Sequence, residues 1–341
     1  MATFPLSPLP PLLLPWFSEN ARSMPWRETK DPYCIWISEI MLQQTRVEAV
    51  RAYYLRFTQT LPTIQALAEV EDHTLLKLWE GLGYYNRAKN LKKAAQIIVK
   101  DLGGNFPNTY DTIISLPGIG PYTAGAVSSI AFSLPHPAVD GNVLRVCSRF
   151  LADNSCIDDP KVKEKVSADI SALFSQNIHP GTFNQALMEL GATVCIPVGK
   201  PHCDICPLQN HCKAKAEGSQ LQFPVRKEKK PRKIEKKTVF VLQVEEEIAL
   251  YQTEDSGLLG GLWALPSVSG TLKESPAISL LTDWGVDPVA LNKSREEKHI
   301  FTHIQWEMTV YYISCKTKSP RFTWGLADNY PLPSAYRKLL V

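Results

Sequence analysis

The 341-residue sequence predicts two domains, an all-α domain followed by an α+β domain. Three observations carry this reading. As far as about Cys212, apolar residues recur at spacings of three and four, as in His73 to Trp79 and Leu91 to Val99. At Gly218 the chain turns polar and then basic, through Arg226-Lys227-Glu228-Lys229-Lys230-Pro231-Arg232-Lys233 and Lys236-Lys237. From Thr238 onward the pattern is that of strands. The expected boundaries are therefore a helical domain over 1–217, a basic linker over 218–237 and a second domain over 238–341.

The bulk numbers agree. Hydrophobic residues make up 44% and charged residues 21%, enough for a sizeable core under a soluble surface. The formal net charge of +3 permits nucleic-acid binding without demanding it. Leu12-Leu13-Leu14 is short, broken by Pro11 and Pro15, and follows no basic region, so it does not read as an export signal. No apolar run reaches the roughly 18 residues of a membrane helix. The expected location is a reducing cytoplasm, with association to the nucleoid.

In the helical part, Leu61-Pro62, Gly103-Gly104 and His179-Pro180-Gly181 punctuate the helices. Trp36-Ile37-Ser38-Glu39-Ile40-Met41-Leu42 is an apolar helical stretch holding one acid. Burial would raise the pKa of Glu39 and keep a proton available for donation near neutral pH. The run Leu116 to Ala126 lies between two helical segments. Gly118 and Gly120 would allow a tight reversal with positive φ, and the N–H groups there and at the next helix start would form an anion site. The run resembles a helix-hairpin-helix, which grips a DNA phosphate without reading sequence. Asp140, in Val139-Asp140-Gly141-Asn142, precedes a helical run and reads first as its N-cap; a catalytic role can coexist with capping.

There are eight cysteines. Cys34, Cys147, Cys156 and Cys315 are scattered, whereas Cys195, Cys203, Cys206 and Cys212 cluster with gaps of seven, two and five residues. Four thiolates in one short loop can enclose a tetrahedral zinc or an iron–sulfur cluster. Zinc sites usually pair two Cys-x2-Cys knuckles. With a single knuckle and wide outer gaps, this spacing suits the larger cubane better.

The basic stretch reads as an exposed linker that can brush phosphates. Beyond it, Val239 to Leu242 and Ile248 to Tyr251 read as paired strands around a turn of glutamates. Pro276 to Gly285 reads as a helix. Ile304, Trp306, Met308, Val310 and Tyr312 alternate with Gln305, Glu307, Thr309 and Tyr311, the signature of a half-buried strand.

Taken in order, Trp36 to Thr45, Leu82-Gly83-Tyr84-Tyr85, the hairpin, Val139 to Asn142, Phe183-Asn184-Gln185-Ala186 and the cysteine loop resemble the motifs of the MutY-type adenine DNA glycosylases, over essentially the whole chain. The resemblance implies an all-α helix-hairpin-helix core with a 4Fe–4S cluster loop, then a Nudix-like domain. It implies a monofunctional enzyme that removes adenine mispaired with 8-oxoguanine or guanine in double-stranded DNA, acting as a monomer. Glu39 would protonate N7 of adenine. Asp140 would stabilise the oxocarbenium-like sugar or trap it covalently, a two-carboxylate scheme parallel to that of sugar hydrolases. Tyr122 and Asn142 would support them. Trp26, Arg27 and Gln185 would line the pocket for the flipped base. Gln44 and Tyr84 would wedge into the duplex, with Gln43 beside them and Thr45 and Leu82 near the oxidised guanine. Gly118 and Gly120 would hold phosphate. Phe301, Thr302 and His303 would read the lesion, and the four clustered cysteines would bind the metal cluster.

The sequence departs from the family pattern in three places. The first cysteine gap is seven residues where six is usual. Phe301-Thr302-His303 has threonine in place of serine. Ile278 to Gly285 lacks the glutamates of a Nudix metal site, so the second domain is expected to recognise and not to hydrolyse. Other readings remain. An endonuclease III-like glycosylase/lyase needs an amine nucleophile, where this chain has Tyr122. A non-catalytic cluster-bearing DNA-binding protein would not need both Glu39 and Asp140. A nucleotide pyrophosphatase would need the missing glutamates.

Overall fold

The computed structural model describes residues 5–176, 178–228, 230–254 and 258–340; Lys229 of the basic stretch lies outside them. The chain packs as two units. The first holds Met1–Val70 and Lys89–Glu228, the second Glu71–Ala88 and Lys229–Val341. No helix among the described residues is long and apolar enough to cross a membrane.

The helices run α1 (Leu9–Asn20), α2 (Pro32–Leu42), α3 (Val47–Thr60), α4 (Ile64–Glu69), α5 (Asp72–Leu78), α6 (Asn86–Asp101), α7 (Tyr110–Ile114), α8 (Pro121–Phe132), α9 (Gly141–Leu151), α10 (Pro160–Leu173), α11 (Pro180–Thr193) and α12 (Lys213–Ala216). Their starts follow capping chemistry. Asp31 accepts from the Tyr33 N–H ahead of α2, and Thr63, Thr109 and Asp159 do the same for α4, α7 and α10. Proline occupies the first turn of α2, α8, α10 and α11, where its missing N–H costs nothing. One core of the first unit gathers Leu13 and Phe17 of α1, Val143 and Phe150 of α9, Ile170 of α10, and Phe183 and Leu187 of α11.

Around α8 the packing is backbone against backbone. A Cβ on Gly125 would lie 2.0 Å from the Pro137 carbonyl oxygen, and one on Gly181 would lie 2.5 Å from that of Ser129. Asn184, fully buried on α11, accepts from the Ala138 N–H at 3.1 Å and donates to the Ser129 hydroxyl and the His136 carbonyl, both at 2.9 Å. The segment that ends at Asp140 is thus clamped from two sides before α9 begins.

The second unit is built on a mixed sheet of β1 (Lys233–Val244), β2 (Glu247–Gln252), β3 (Trp263–Ala264), β4 (Ser267–Ser269), β5 (Pro288–Ile300), β6 (Ile304–Cys315) and β7 (Thr323–Gly325), with α13 (Glu274–Asp283) between β4 and β5 and α14 (Ser334–Arg337) at the end. The order is β3-β2-β1-β6-β5, with β4 against β1 and β7 against β2. β1 and β2 pair antiparallel around the glutamate turn, and β1 runs parallel to β6 with Val239 opposite Val310. Val239, Val241, Met308 and Val310 face Leu332, Ala335 and Leu339 on one side; Phe240, Leu242 and Ile313 face Ala277 and Leu281 of α13 on the other.

Three details differ from the sequence reading. β1 begins at Lys233, so residues 233–237, expected as linker, form its exposed first half. α13 starts two residues earlier than expected, at Glu274. Tyr311, expected on the polar side of β6, is buried beneath α13 with its hydroxyl donating to the Leu272 carbonyl at 3.0 Å. Alternation predicts one buried face; this strand is central and covered on both.

The Gly125 contact is directly testable. Gly125→Ala drives a methyl into a backbone carbonyl that Asn184 helps to hold, and should destabilise the protein by about 2–3 kcal/mol or more. A urea midpoint equal to that of the wild type would contradict the close approach.

Candidate active site

In the first unit the ends of α2, α8, α9 and α11 and the turn at Pro25–Arg27 enclose a cavity of about 570 Å³. Trp26, Arg27, Glu39, Tyr122, Asp140 and Gln185 line it, and Gln43, Gln44, Thr45, Gly120 and Asn142 lie along the same wall.

Glu39 sits on α2 among Ile35, Trp36, Ile40 and Met41, with 5% of its surface exposed. The Tyr122 hydroxyl, from the first turn of α8, donates to its Oε2 at 2.7 Å. Burial raises the Glu39 pKa and the Asp140 charge raises it further; the Tyr122 hydrogen bond and Arg27 oppose this, and the carboxyl ends up at about 7. Burial and the neighbouring carboxylates push the Tyr122 phenol well above its ordinary value, so it remains a donor.

Asp140 does both things that its position allows. Its Oδ1 accepts from the Val143 N–H at 2.8 Å, capping α9, and its Oδ2 accepts from Asn142 Nδ2 at 2.7 Å. Asn142 is held in turn by Arg145, whose Nη2 donates to its side chain at 2.8 Å and to the Gly191 carbonyl at 2.7 Å. Burial raises the Asp140 pKa; the hydrogen bonds from Val143 and Asn142 and the charge of Arg145 pull it back. Glu39 meets the Tyr122 hydroxyl, whereas Asp140 meets the Val143 N–H and the Asn142 amide, and burial lifts Glu39 to about 7.

A third carboxylate was not foreseen from the sequence. Glu189, on α11, is 1% exposed and lines the cavity. Arg22 Nε and Nη2 reach its two oxygens at 2.6 and 3.0 Å, and Arg27 Nη2 reaches Oε2 at 2.8 Å. Burial raises its pKa, but the hydrogen bonds from Arg22 and Arg27 outweigh that and hold it below its ordinary value. Glu189 lies one turn from Gln185, and that i, i+4 spacing was the available signal.

The remaining predicted residues divide into two groups. Gln43 caps α2 and donates to the Thr123 hydroxyl at 3.3 Å; Gln44 carries a left-handed φ of 57°. Of the hairpin glycines only Gly118 has positive φ, at 79°, with a would-be Cβ 2.7 Å from Asn90 Cβ. Gly120 is extended and serves as the α8 N-cap, so the expectation of positive φ at both is corrected. Leu82 and Tyr84 belong to the second unit, together with Phe301, Thr302 and His303. Leu82 is buried; Tyr84 is 47% exposed, and its hydroxyl lies 2.7 Å from that of Thr302. Residues 301–303 form the tip joining β5 and β6, closed by the Phe301 N–H donating to the Ile304 carbonyl at 2.8 Å. Phe301 packs edge-on against Trp306 at 4.8 Å and His299 at 4.6 Å, so it anchors the tip and leaves Thr302 and His303 exposed.

Cys195, Cys203, Cys206 and Cys212 line one small hollow in the first unit with Arg149 and His202. Arg149 Nη1 lies 3.3 Å from Cys195 Sγ. Burial raises the pKa of Cys203, Cys206 and Cys212, that of Cys206 to about 12, and neighbouring thiolates raise it further. Without a cation among them these side chains are neutral thiols. Among the described residues no group of three His, Cys, Asp or Glu side chains converges tightly enough for a single ion.

Residues 37–176 match the HhH-GPD superfamily of base excision DNA repair proteins, and residues 238–341 match the NUDIX domain. A rat protein named adenine DNA glycosylase is 34% identical, over 96% of this chain and 76% of its own length. One of the same name from Buchnera aphidicola of Acyrthosiphon pisum is 43% identical, over 65% of this chain and 64% of its own. Among solved structures, a thermostable thymine-DNA glycosylase superposes with a TM-score of 0.55 at 28% identity, over 62% of this chain and 97% of that one.

The state of Glu39 makes a prediction about stability. Its folded pKa of about 7 lies above the unfolded value of 4.5, so the folded protein binds more protons between these limits and loses stability as pH rises through them. The cost is absent below about pH 4.5 and complete above pH 7, on the order of 3 kcal/mol. Glu39→Gln should therefore be more stable than the wild type at pH 8 and nearly equal to it at pH 5, by far-UV circular dichroism. Equal melting at both pH values would show that Glu39 is not held neutral.

Proposed function

The chain belongs to the adenine DNA glycosylase family, and we propose that it hydrolyses the N-glycosidic bond of adenine mispaired with 8-oxoguanine or guanine, without lyase chemistry. The observation that carries this reading is a buried, proton-holding Glu39 facing the same cavity as a capped, hydrogen-bonded Asp140. Two carboxyl groups with environments that push them apart are what acid-assisted glycoside cleavage requires.

An adenine flipped into the cavity is held by Trp26, Arg27, Gln185 and the ionised Glu189, whose acceptor oxygens suit an exocyclic amine. Glu39 gives its proton to N7, the bond from N9 to the sugar breaks with its electron pair leaving on the base, and positive charge develops on the sugar. Asp140 stabilises that charge, with Asn142 and Arg145 fixing its orientation. Water then adds to the sugar carbon and loses a proton. Gln44 and Thr45 lie at the cavity wall where the emptied strand would pass. One chain supplies every group in the cavity, so a monomer suffices.

Cys195, Cys203, Cys206 and Cys212, which line one hollow, would hold a 4Fe–4S cluster. When bound it supplies structure, tying the loop after α11 to α9 through Arg149. Lys200 and His202 on the same loop are exposed and suit phosphate contact. The sheet unit reads the base opposite the adenine through Thr302 and His303; α13 carries no set of glutamates for a metal.

Glu39→Gln should lower single-turnover excision of adenine opposite 8-oxoguanine by about 10²–10⁴-fold while leaving duplex binding intact. Labelled product should be cut only after alkali, and borohydride should trap no adduct. Lys163 is the one lysine among the described residues lining the cavity, so any adduct that does form should vanish in Lys163→Ala. Near-normal excision by Glu39→Gln would end the acid assignment.

Anaerobically purified protein should contain iron and acid-labile sulfide, both lost on Cys206→Ala, with weaker DNA binding. Stoichiometric zinc without sulfide would overturn the cluster.

A further inference from the structure

Residues 71–88 precede and enter α6, yet they pack with the sheet unit. One carboxylate explains how. Glu80 Oε1 accepts from Arg337 Nη2 at 2.6 Å and Nε at 2.9 Å, and from the Leu332 N–H at 3.3 Å; its Oε2 accepts from Lys77 Nζ at 2.5 Å. Arg337 spends its other hydrogens locally, Nη1 on Asp328 at 2.9 Å and Nη2 also on the Ala327 and Tyr330 carbonyls at 3.1 Å. The Glu80 and Arg337 side chains are mostly buried. Tyr330 backs the arrangement, edge-on to His73 at 6.2 Å and to Trp263 at 4.6 Å. Four residues beyond Glu80, after Gly81 and Gly83 with φ of 97° and 68°, Tyr84 adopts a left-handed φ of 48° and meets Thr302.

We infer that the Glu80–Arg337 pair is a positioning device that docks the Leu82–Tyr84 turn on the sheet unit, so that Tyr84 and the 301–303 tip act as one reader of the base opposite the adenine. The physical reason is the cost of an unpaired buried charge. A glycine-rich turn has little stiffness of its own. A carboxylate that already meets a guanidinium, an ammonium and a backbone N–H cannot leave that nest without taking from Arg337 its buried partner and leaving it only the exposed Asp328 and two carbonyls. The turn is therefore held in one place, four residues from the side chain that must be placed. This inference rests on reading the sheet unit as the lesion reader. It adds that the reading requires an ion pair which is not itself part of the tip.

The test is a double-mutant cycle in the full chain with Glu80→Ala, Arg337→Ala and both together. Single-turnover excision is measured opposite 8-oxoguanine and opposite guanine, with hydrogen exchange on the same proteins. Each single variant should lower the 8-oxoguanine preference by about tenfold, and the double variant should be no worse than either, as coupled partners require. Excision opposite guanine should stay within about twofold of wild type. Exchange should rise in residues 79–85 and 301–303 and remain unchanged in α8 and α9. Arg337→Lys should restore part of both readouts. If Glu80→Ala does not fold, Glu80→Gln, which keeps the shape and removes the charge, carries the test. Unchanged exchange at 79–85 with unchanged preference would overturn the inference, as would an equal loss on both duplexes. A wild type with no preference for 8-oxoguanine would instead refute the lesion-reader proposal, leaving the exchange result to decide the docking role of the pair.

Discussion

The burial of Glu39 sets the state of the carboxyl on which the cavity depends, tempered by the hydrogen bond from Tyr122, 83 residues further along the chain. Around Glu39, α2 is buried on nearly every side, so its ionised form has almost no water to solvate it. A second strong donor would stabilise the anion and remove the proton. Among the described residues the Tyr122 phenol is the donor that Glu39 meets, and it is itself held neutral by burial. The balance leaves the carboxyl near pH 7, where a proton is both retained and transferable. The close packing of Gly125 and the clamp at Asn184 serve the same balance. They bring Asp140 to the cavity with its lone pairs already engaged.

The three cavity carboxyl groups show how local donors decide chemistry within one low-dielectric space. Glu39 has a phenol and keeps its proton. Asp140 has a backbone N–H, an amide and the field of Arg145. Glu189 has two guanidinium groups and is fully ionised in character. Burial raises all three; what differs is the number and charge of the hydrogen-bond partners. One low-dielectric cavity thus holds three carboxyl groups in three different electrostatic settings.

Much of this was legible in the sequence because it is carried by contiguous runs. The apolar stretch around Glu39, the capping position of Asp140 and the cysteine spacing are local facts, and the structure gathers each set as its pattern suggested. The helix-to-strand change was legible for the same reason. What was not legible depends on distant partners. Glu189 is one acid on an ordinary amphipathic helix until Arg22 and Arg27 arrive from the other end of the chain. Tyr311 read as outward-facing because alternation cannot report a second cover such as α13. Gly120 looked like its neighbour Gly118, but only Gly118 bends left-handed, at a place where Asn90 leaves no room for a Cβ. Segment 71–88 followed the helical pattern faithfully, and nothing in its periodicity marks Glu80 as the partner of Arg337.

The sheet unit shows why its working surface is small. Both faces of its central strands are covered, one by α13 and the other by the segment that ends in Leu339, so the faces are committed to the core. Chemistry is left to edges and turns. At the β5–β6 tip Phe301 turns inward onto Trp306, which is in turn fixed from below by Lys237 over its ring and by Glu235 accepting from its indole N–H at 3.1 Å. An aromatic anchor of this kind removes freedom from a three-residue turn without using its polar groups. Thr302 and His303 are then presented by a rigid base, and the threonine methyl, the one departure from the family pattern at the tip, restricts the hydroxyl that meets Tyr84. A β-branched residue has fewer side-chain rotamers than serine, so threonine holds the hydroxyl that lies 2.7 Å from that of Tyr84 in fewer orientations than serine would.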